Sequence, residues 1–137
     1  MFEADDGLRA SARGGNLRAM SELLVLFNSA REWGQFHNAR NLAMALSVES
    51  SELLSHYLWC SDDGEMHFSG SKRVAVCDEV ADVLICLLNF CEATGIDLGE
   101  EFLRKLRINE EHYPVEMSRG KALKYDELRC HGDGSGV

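Results

Sequence analysis

From Asn41 to Trp59 the chain runs nineteen residues without a proline or a glycine. Leu42, Leu46, Leu53 and Tyr57 recur at helical spacing and fall on one narrow face of a helix. Glu49 sits in the middle of that face, between Leu42 and His56, with Glu52 one turn further along its edge. An ionised carboxylate on a core-facing stripe is costly unless something compensates it. A solvated face would place the glutamates opposite Leu42, so the stretch predicts a central helix whose acids meet a cation.

The next helix brings more carboxylates. Arg73–Glu92 reads as helical, and its segment Val83–Leu88 is apolar all round, as in a helix buried by neighbours. It carries Glu79 and Asp82, a second acidic pair at i, i+3. On two packed antiparallel helices, Glu49, Glu52, Glu79 and Asp82 converge as four hard oxygen donors. Four like charges do not stay ionised together in a low-dielectric site without a cation. Oxygen-only ligation with room for water suits Mg²⁺, or Mn²⁺ in its place, rather than zinc.

The remaining helices follow from caps and breakers. Asn16 caps a helix from Leu17 to about Trp33, with Leu23, Leu24, Leu26 and Phe27 toward the core and Gly34 as its stop. Gln35–Asn38 is a short connection, and Asn38 caps the central helix. A turn-rich loop lies between Trp59 and Ser71, and Ser71 caps the helix after it. Gly95 ends that helix. Asp97 starts a fourth, Leu98 to about His112, which Pro114 stops. Val115–Lys124 looks irregular. Residues 1–15 read as a flexible leader, 16–128 as one domain and 129–137 as a flexible tail. The expected fold is all-α: an antiparallel bundle of four main helices, one so apolar that oligomerisation completes it.

Charge and cysteines narrow the function. At 137 residues and 45% hydrophobic, one core is feasible. The net charge of −9 disfavours a nucleic-acid polymer as partner, whereas free nucleotides remain possible where metal neutralises the site locally. Five cysteines show no zinc spacing and no C-x-x-C, and read as reduced thiols of a cytoplasmic protein, with Cys77, Cys86 and Cys91 packed in the interior. No apolar run approaches a membrane span, and the basic region of a signal peptide is lacking at the N-terminus.

Two glutamates three apart, 26 intervening residues, then Glu79-x-x-Asp82 resembles the signature of the MazG-like all-α nucleoside triphosphate pyrophosphohydrolases. The flanking motifs Arg31–His37, Arg40–Leu42, Trp59, Tyr113-Pro114, Ser118–Gly120 and Lys124-Tyr125 are similar to the dCTP pyrophosphatase branch of that family. The resemblance runs from about Leu23 to Leu128. It implies that Glu49, Glu52, Glu79 and Asp82 hold Mg²⁺ on a triphosphate. Water then attacks the α-phosphorus and pyrophosphate leaves, with Glu49 or Glu52 accepting the proton. It also implies a house-cleaning role in the nucleotide pool and a homotetramer built from dimers.

The same resemblance assigns substrate contacts. Trp33, Gln35, Phe36, His37 and Trp59 form the nucleobase pocket, although aromatics at helix ends serve as often in cores or interfaces. Lys105, Asn109 and Tyr113 recur at i, i+4, i+8 and present one face of the fourth helix; there the family contacts phosphate and sugar, where an ordinary exposed stripe is the alternative. Arg119 and Lys124 are candidates for phosphate or subunit contacts. His56, beside Glu49 on the wheel, reads as a core residue or a partner to a ligand. Leu24 and Cys86 stand where relatives carry histidine and tyrosine, which implies a more apolar base wall. A pyrimidine triphosphate, dCTP or a modified analogue, is the expected substrate.

Two other functions fit less well. A catalytically inactive oligomerisation or regulatory module of the same fold has no need of four intact acids. A di-iron carboxylate bundle wants Glu-x-x-His on two helices, and the third residues after Glu49 and Glu79 are Glu52 and Asp82.

Overall fold

The computed structural model describes residues 5–58 and 70–132, with side chains as far as residue 128. Every regular element among them is helical: α1 (Asp6–Arg13), α2 (Leu17–Ser29), a 3-10 turn at Trp33–Gln35, α3 (Ala39–Ser55), α4 (Gly70–Thr94), α5 (Leu98–His112), α6 (Val115–Ser118) and α7 (Tyr125–Gly132). The chain forms two compact units, one up to Gly95 and one from Ile96 on.

Local chemistry sets the helix starts. The Asn16 side chain accepts from the N–H groups of Arg18 and Ala19 at 3.0 and 3.3 Å, and that of Asn38 accepts from Asn41 N–H at 2.9 Å. Asp97 likewise accepts from Glu100 N–H at 3.1 Å. Each satisfies amides that a helix start leaves without an internal partner, a contribution of about 1 kcal/mol per cap. At α7, the Glu127 carboxylate reaches back to the Lys124 N–H at 2.9 Å, the glutamate half of a capping box.

Several boundaries differ from expectation. The helix α2 ends at Ser29, not near Trp33. Its last amides turn to i−3 partners, Arg31 to Asn28 and Glu32 to Ser29, and Glu32 then adopts φ 55°, a left-handed conformation that no α-helix continues through. The central helix stops at Ser55 in the same way, with His56, Tyr57 and Leu58 donating three residues back. The helix α4 already begins at Gly70, so Ser71 lies inside its first turn. Within the expected leader the structure forms α1, with Asp6 in its first turn and Arg13 in its last, each complementing the helix dipole. Short helices also occupy part of Val115–Lys124 and the start of the expected tail.

In the first unit α3 and α4 pack as an antiparallel pair, and α2 crosses onto α4. The direction is visible in the contacts: His56 meets Glu79, while Glu49, two turns earlier on α3, also reaches Asp82. The core is thin. Among the described residues Ala19, Leu42, Val76, Leu88 and Cys91 are buried in this unit, Leu128 is buried in the other, and no large side chain is wholly enclosed. Met44, Val48 and Leu54 leave an apolar stripe of α3 in the open, continued by Leu58 just past its end, and Phe102, Leu103 and Leu106 do the same on α5. Cys91 is buried and Cys86 partly so, but Cys77 is exposed, contrary to the interior position expected of it. Its place is on a face of α4 that no described helix covers.

Candidate functional site

The acidic face forms as a cluster of three. One carboxylate oxygen each from Glu49, Glu79 and Asp82 lies within 4.8 Å of the others. Glu49 and Glu79 are partly buried and Asp82 is exposed, so the trio sits at the mouth of the α3–α4 seam rather than inside it. Glu52 stands outside the trio on an exposed position, one turn along α3. Its charge still reaches Glu49. Partial burial pushes the Glu49 carboxyl above the usual carboxylate range, and the charges of Glu52, Asp82 and Glu79 push it further the same way.

Two neighbours frame the trio. His56 Nε2 lies 3.5 Å from Glu79 Oε1, with both side chains partly buried. Cys86 is one turn on from Asp82, and burial, with Glu49 and Asp82 nearby, raises its thiol above the ordinary range. That thiol stays protonated and is no nucleophile here. Three hard oxygens at this spacing fit a hard divalent cation held with water or substrate in its remaining positions.

The expected base-pocket residues cluster around the 3-10 turn. Trp33 meets Phe27 edge-on at 5.7 Å between centroids and His37 edge-on at 6.4 Å. The Arg31 guanidinium lies 3.5 Å over the Phe27 ring and donates to the Phe27 carbonyl at 3.0 Å, stiffening the approach to Trp33. Gln35 donates to the Glu32 carbonyl at 3.0 Å, and Phe36 is largely exposed. Trp59 and Cys60 lie outside the described residues.

Gln35 and His37 also line a groove of about 560 Å³ between α2, the 3-10 turn and the end of α4. Asn28, Asn89, Glu32 and Glu92 line it too, and none of these stood out in the sequence. The only available signal was a polar Asn89 inside the apolar run of α4, which periodicity alone does not distinguish from a surface residue.

In the second unit, Lys105 and Asn109 lie one turn apart on α5 as expected. Tyr113 has left the helix and caps it, its N–H donating to the Asn109 carbonyl at 2.8 Å. His112 stacks on Tyr125 at 4.6 Å, which ties the end of α5 to the start of α7. Arg119 follows α6, with its N–H bonded to the Val115 carbonyl, and Lys124 precedes α7.

The profile of the MazG-like family matches residues 44–128, which includes the whole acidic trio. The mouse and human proteins called dCTP pyrophosphatase 1 are each 38% identical over 114 residues, 82% of this chain and 67% of theirs. The cattle protein of the same name is equally similar and is covered to 68%. A solved pyrophosphatase from Archaeoglobus fulgidus superposes with a TM-score of 0.66 at 35% identity, covering 72% of this chain and 92% of its own.

Proposed function

The chain belongs to the MazG-like family, and from that premise we propose that it hydrolyses a nucleoside triphosphate, dCTP or a modified pyrimidine deoxynucleotide first, to the monophosphate and pyrophosphate. The carrying observation is the convergence of Glu49, Glu79 and Asp82 within 4.8 Å. Like charges repel at that spacing, and a cation is the arrangement's natural complement.

Glu49, Glu79 and Asp82 are the residues to hold Mg²⁺, with Mn²⁺ as a substitute and Glu52 as a fourth donor from the exposed side. When bound, such an ion neutralises phosphate charge and lowers the pKa of water. The chain's own part is to orient and to move a proton. His56, 3.5 Å from Glu79, steadies that carboxylate. The proton of the attacking water goes to Glu49 or Glu52, of which Glu52 is the more accessible. Trp33, Gln35, Phe36 and His37 supply a wall for the base, with Trp59 as its expected partner. Lys105, Asn109 and Tyr113 are proposed to contact phosphate and sugar.

The assembly reading is a homotetramer, a dimer of dimers. Its support is the thin core of one chain beside the open apolar stripes of α3 and α5. Among the described residues no helix is long and apolar enough to cross a membrane. A cytoplasmic house-cleaning role in the nucleotide pool accords with that.

The test is a panel of NTPs and dNTPs with Mg²⁺, scored for pyrophosphate against orthophosphate. Pyrophosphate release, greatest with dCTP or a 5-substituted dCTP, is the expected result. Release of orthophosphate alone, or equal rates in EDTA, would sink the proposal.

A further inference from the structure

The connection between α2 and α3, residues 30–38, is fixed at both ends. On the α2 side, the Asn28 side chain donates to Asn89 Oδ1 on α4 at 2.9 Å, and the Asn28 backbone carbonyl accepts from Arg31 N–H at 3.1 Å. On the α3 side, Asn41 Nδ2 donates to the Phe36 carbonyl at 3.0 Å. Between those anchors the backbone reverses its hand at Glu32, with φ 55° and ψ 30°. Among the described residues it is the one non-glycine with a positive φ; Gly15, Gly70, Gly95 and Gly120 fill the other such positions. A Cβ in that region crowds its own backbone, so glutamate there costs free energy that glycine does not.

The cost falls directly before Trp33. Glu32 N–H donates to the Ser29 carbonyl at 3.1 Å and its carbonyl accepts from Gln35 Nε2 at 3.0 Å, so its peptide groups join the end of α2 to the 3-10 turn. Its side chain is exposed. Trp33 meets Phe27 and His37 edge-on and remains 43% exposed, so the pose of its ring depends on the backbone that carries it. A glycine at position 32 reaches the same conformation without strain, but it reaches many others as readily. A side chain narrows that choice. Strain of this kind persists only where the surrounding structure over-determines it, and such positions cluster at ligand sites.

We propose that Glu32 is a positioning residue: its left-handed backbone, kept narrow by a side chain, presets the pose of Trp33 in which a nucleobase stacks. The inference rests on the reading of Trp33 as part of the base wall. A turn already in its bound shape spares binding the cost of ordering it. Loosening the turn therefore raises KM and spares kcat, because the contact to the base is the same before and during the chemistry.

The test sets stability against function in the full chain labelled with 5-fluorotryptophan. Trp33→Phe identifies the Trp33 line in the 19F spectrum, and Tm and the kinetics of pyrophosphate release from dCTP are measured beside it. Glu32→Gly is expected to melt at or above the wild-type temperature, because the strain is relieved. Its KM for dCTP rises about threefold to tenfold while kcat holds, and its Trp33 line shifts or broadens. Glu32→Asn tolerates the left-handed region and keeps a side chain, so its KM stays within about twofold of wild type. Glu32→Gln removes the charge alone and matches the asparagine variant. A glycine variant with the wild-type KM and Trp33 line overturns the inference. So does one whose KM rises only as its Tm falls, since Glu32 is then structural. A glutamine variant that reproduces the glycine effect also overturns it, because the carboxylate is then the working group. A wild-type chain that releases no pyrophosphate, with a Trp33 line that still responds to glycine, removes the hydrolase reading and leaves the positioning of Trp33 standing.

Discussion

The two ends of one face of α4 are built on opposite principles. At Glu79 and Asp82 the chain gathers charges that repel, with Glu49 added from α3. At Asn89, two turns on, it gathers neutral amides that satisfy one another across to α2. Like charges repel at the acid end, and a cation there would offset that repulsion. The amide end is satisfied by its own hydrogen bond across the two helices. That difference separates them: the acid end is proposed to carry the chemistry, whereas the amide end ties α2 to α4.

The largest effect that tests this division is removal of a ligand charge. Asp82→Asn and Glu49→Gln should each lower kcat/KM by about a thousandfold or more, as expected when metal-centred charge stabilisation is lost. Both should still fold, because neither side chain is fully buried and each change keeps the side chain's shape. Near-normal turnover in either variant would remove that residue from the site. Loss of the folded state in either variant would make that carboxylate structural and erase the division between the ends.

Next comes removal of the metal. EDTA should abolish turnover, and adding Mg²⁺ back should raise Tm by mass action on the folded state. In EDTA, Glu49→Gln should melt above the wild-type protein, because one repelling charge is gone. A wild-type Tm indifferent to Mg²⁺ would show that the trio binds no cation.

A smaller effect follows from the raised Glu49 carboxyl. Its folded pKa exceeds its unfolded one, so its contribution is fully present below the unfolded value. It is lost as pH rises through the folded one. Metal-free protein should therefore lose stability as pH climbs from the acid side through that window, and Glu49→Gln should flatten the trend. Urea unfolding in EDTA across pH 4 to 7 measures it; an identical slope in both proteins would refute the assignment to Glu49.

The smallest effect concerns the 3-10 turn that carries Trp33. Arg31→Ala removes the guanidinium from above Phe27 and frees the turn that carries Trp33. KM for dCTP should rise by about threefold, in line with roughly 0.5–1 kcal/mol for an exposed cation–π contact, and kcat should hold. A fall in kcat without a change in KM would place Arg31 with the acid end.

Much of the acid end was legible in the chain. Glu49 among Leu42, Leu46 and Leu53 announces its own anomaly, because periodicity reports which face a charge occupies before any neighbour is known. The caps Asn16, Asn38 and Asp97 were equally visible, since each acts on amides two or three residues away. Local interactions of that kind are written in local order. The end of α2 was not visible, because the left-handed Glu32 that breaks it is no glycine and carries no compositional mark. The helix α1 was missed for a related reason: a short amphipathic segment gains its stability by packing on α2, which polarity alone does not reveal.

What lay beyond the sequence was every pairing across helices. Asn28 and Asn89 are 61 residues apart, and nothing in either neighbourhood says that one amide will meet the other. Nor did the i, i+3 spacing of Glu49 and Glu52 reveal that only the first would join Glu79 and Asp82 within 4.8 Å. Spacing along a helix fixes a side chain's angle about its own axis. The rotation and approach of two helices, set by how their side chains interlock, decide which carboxylates meet and which amides close a groove.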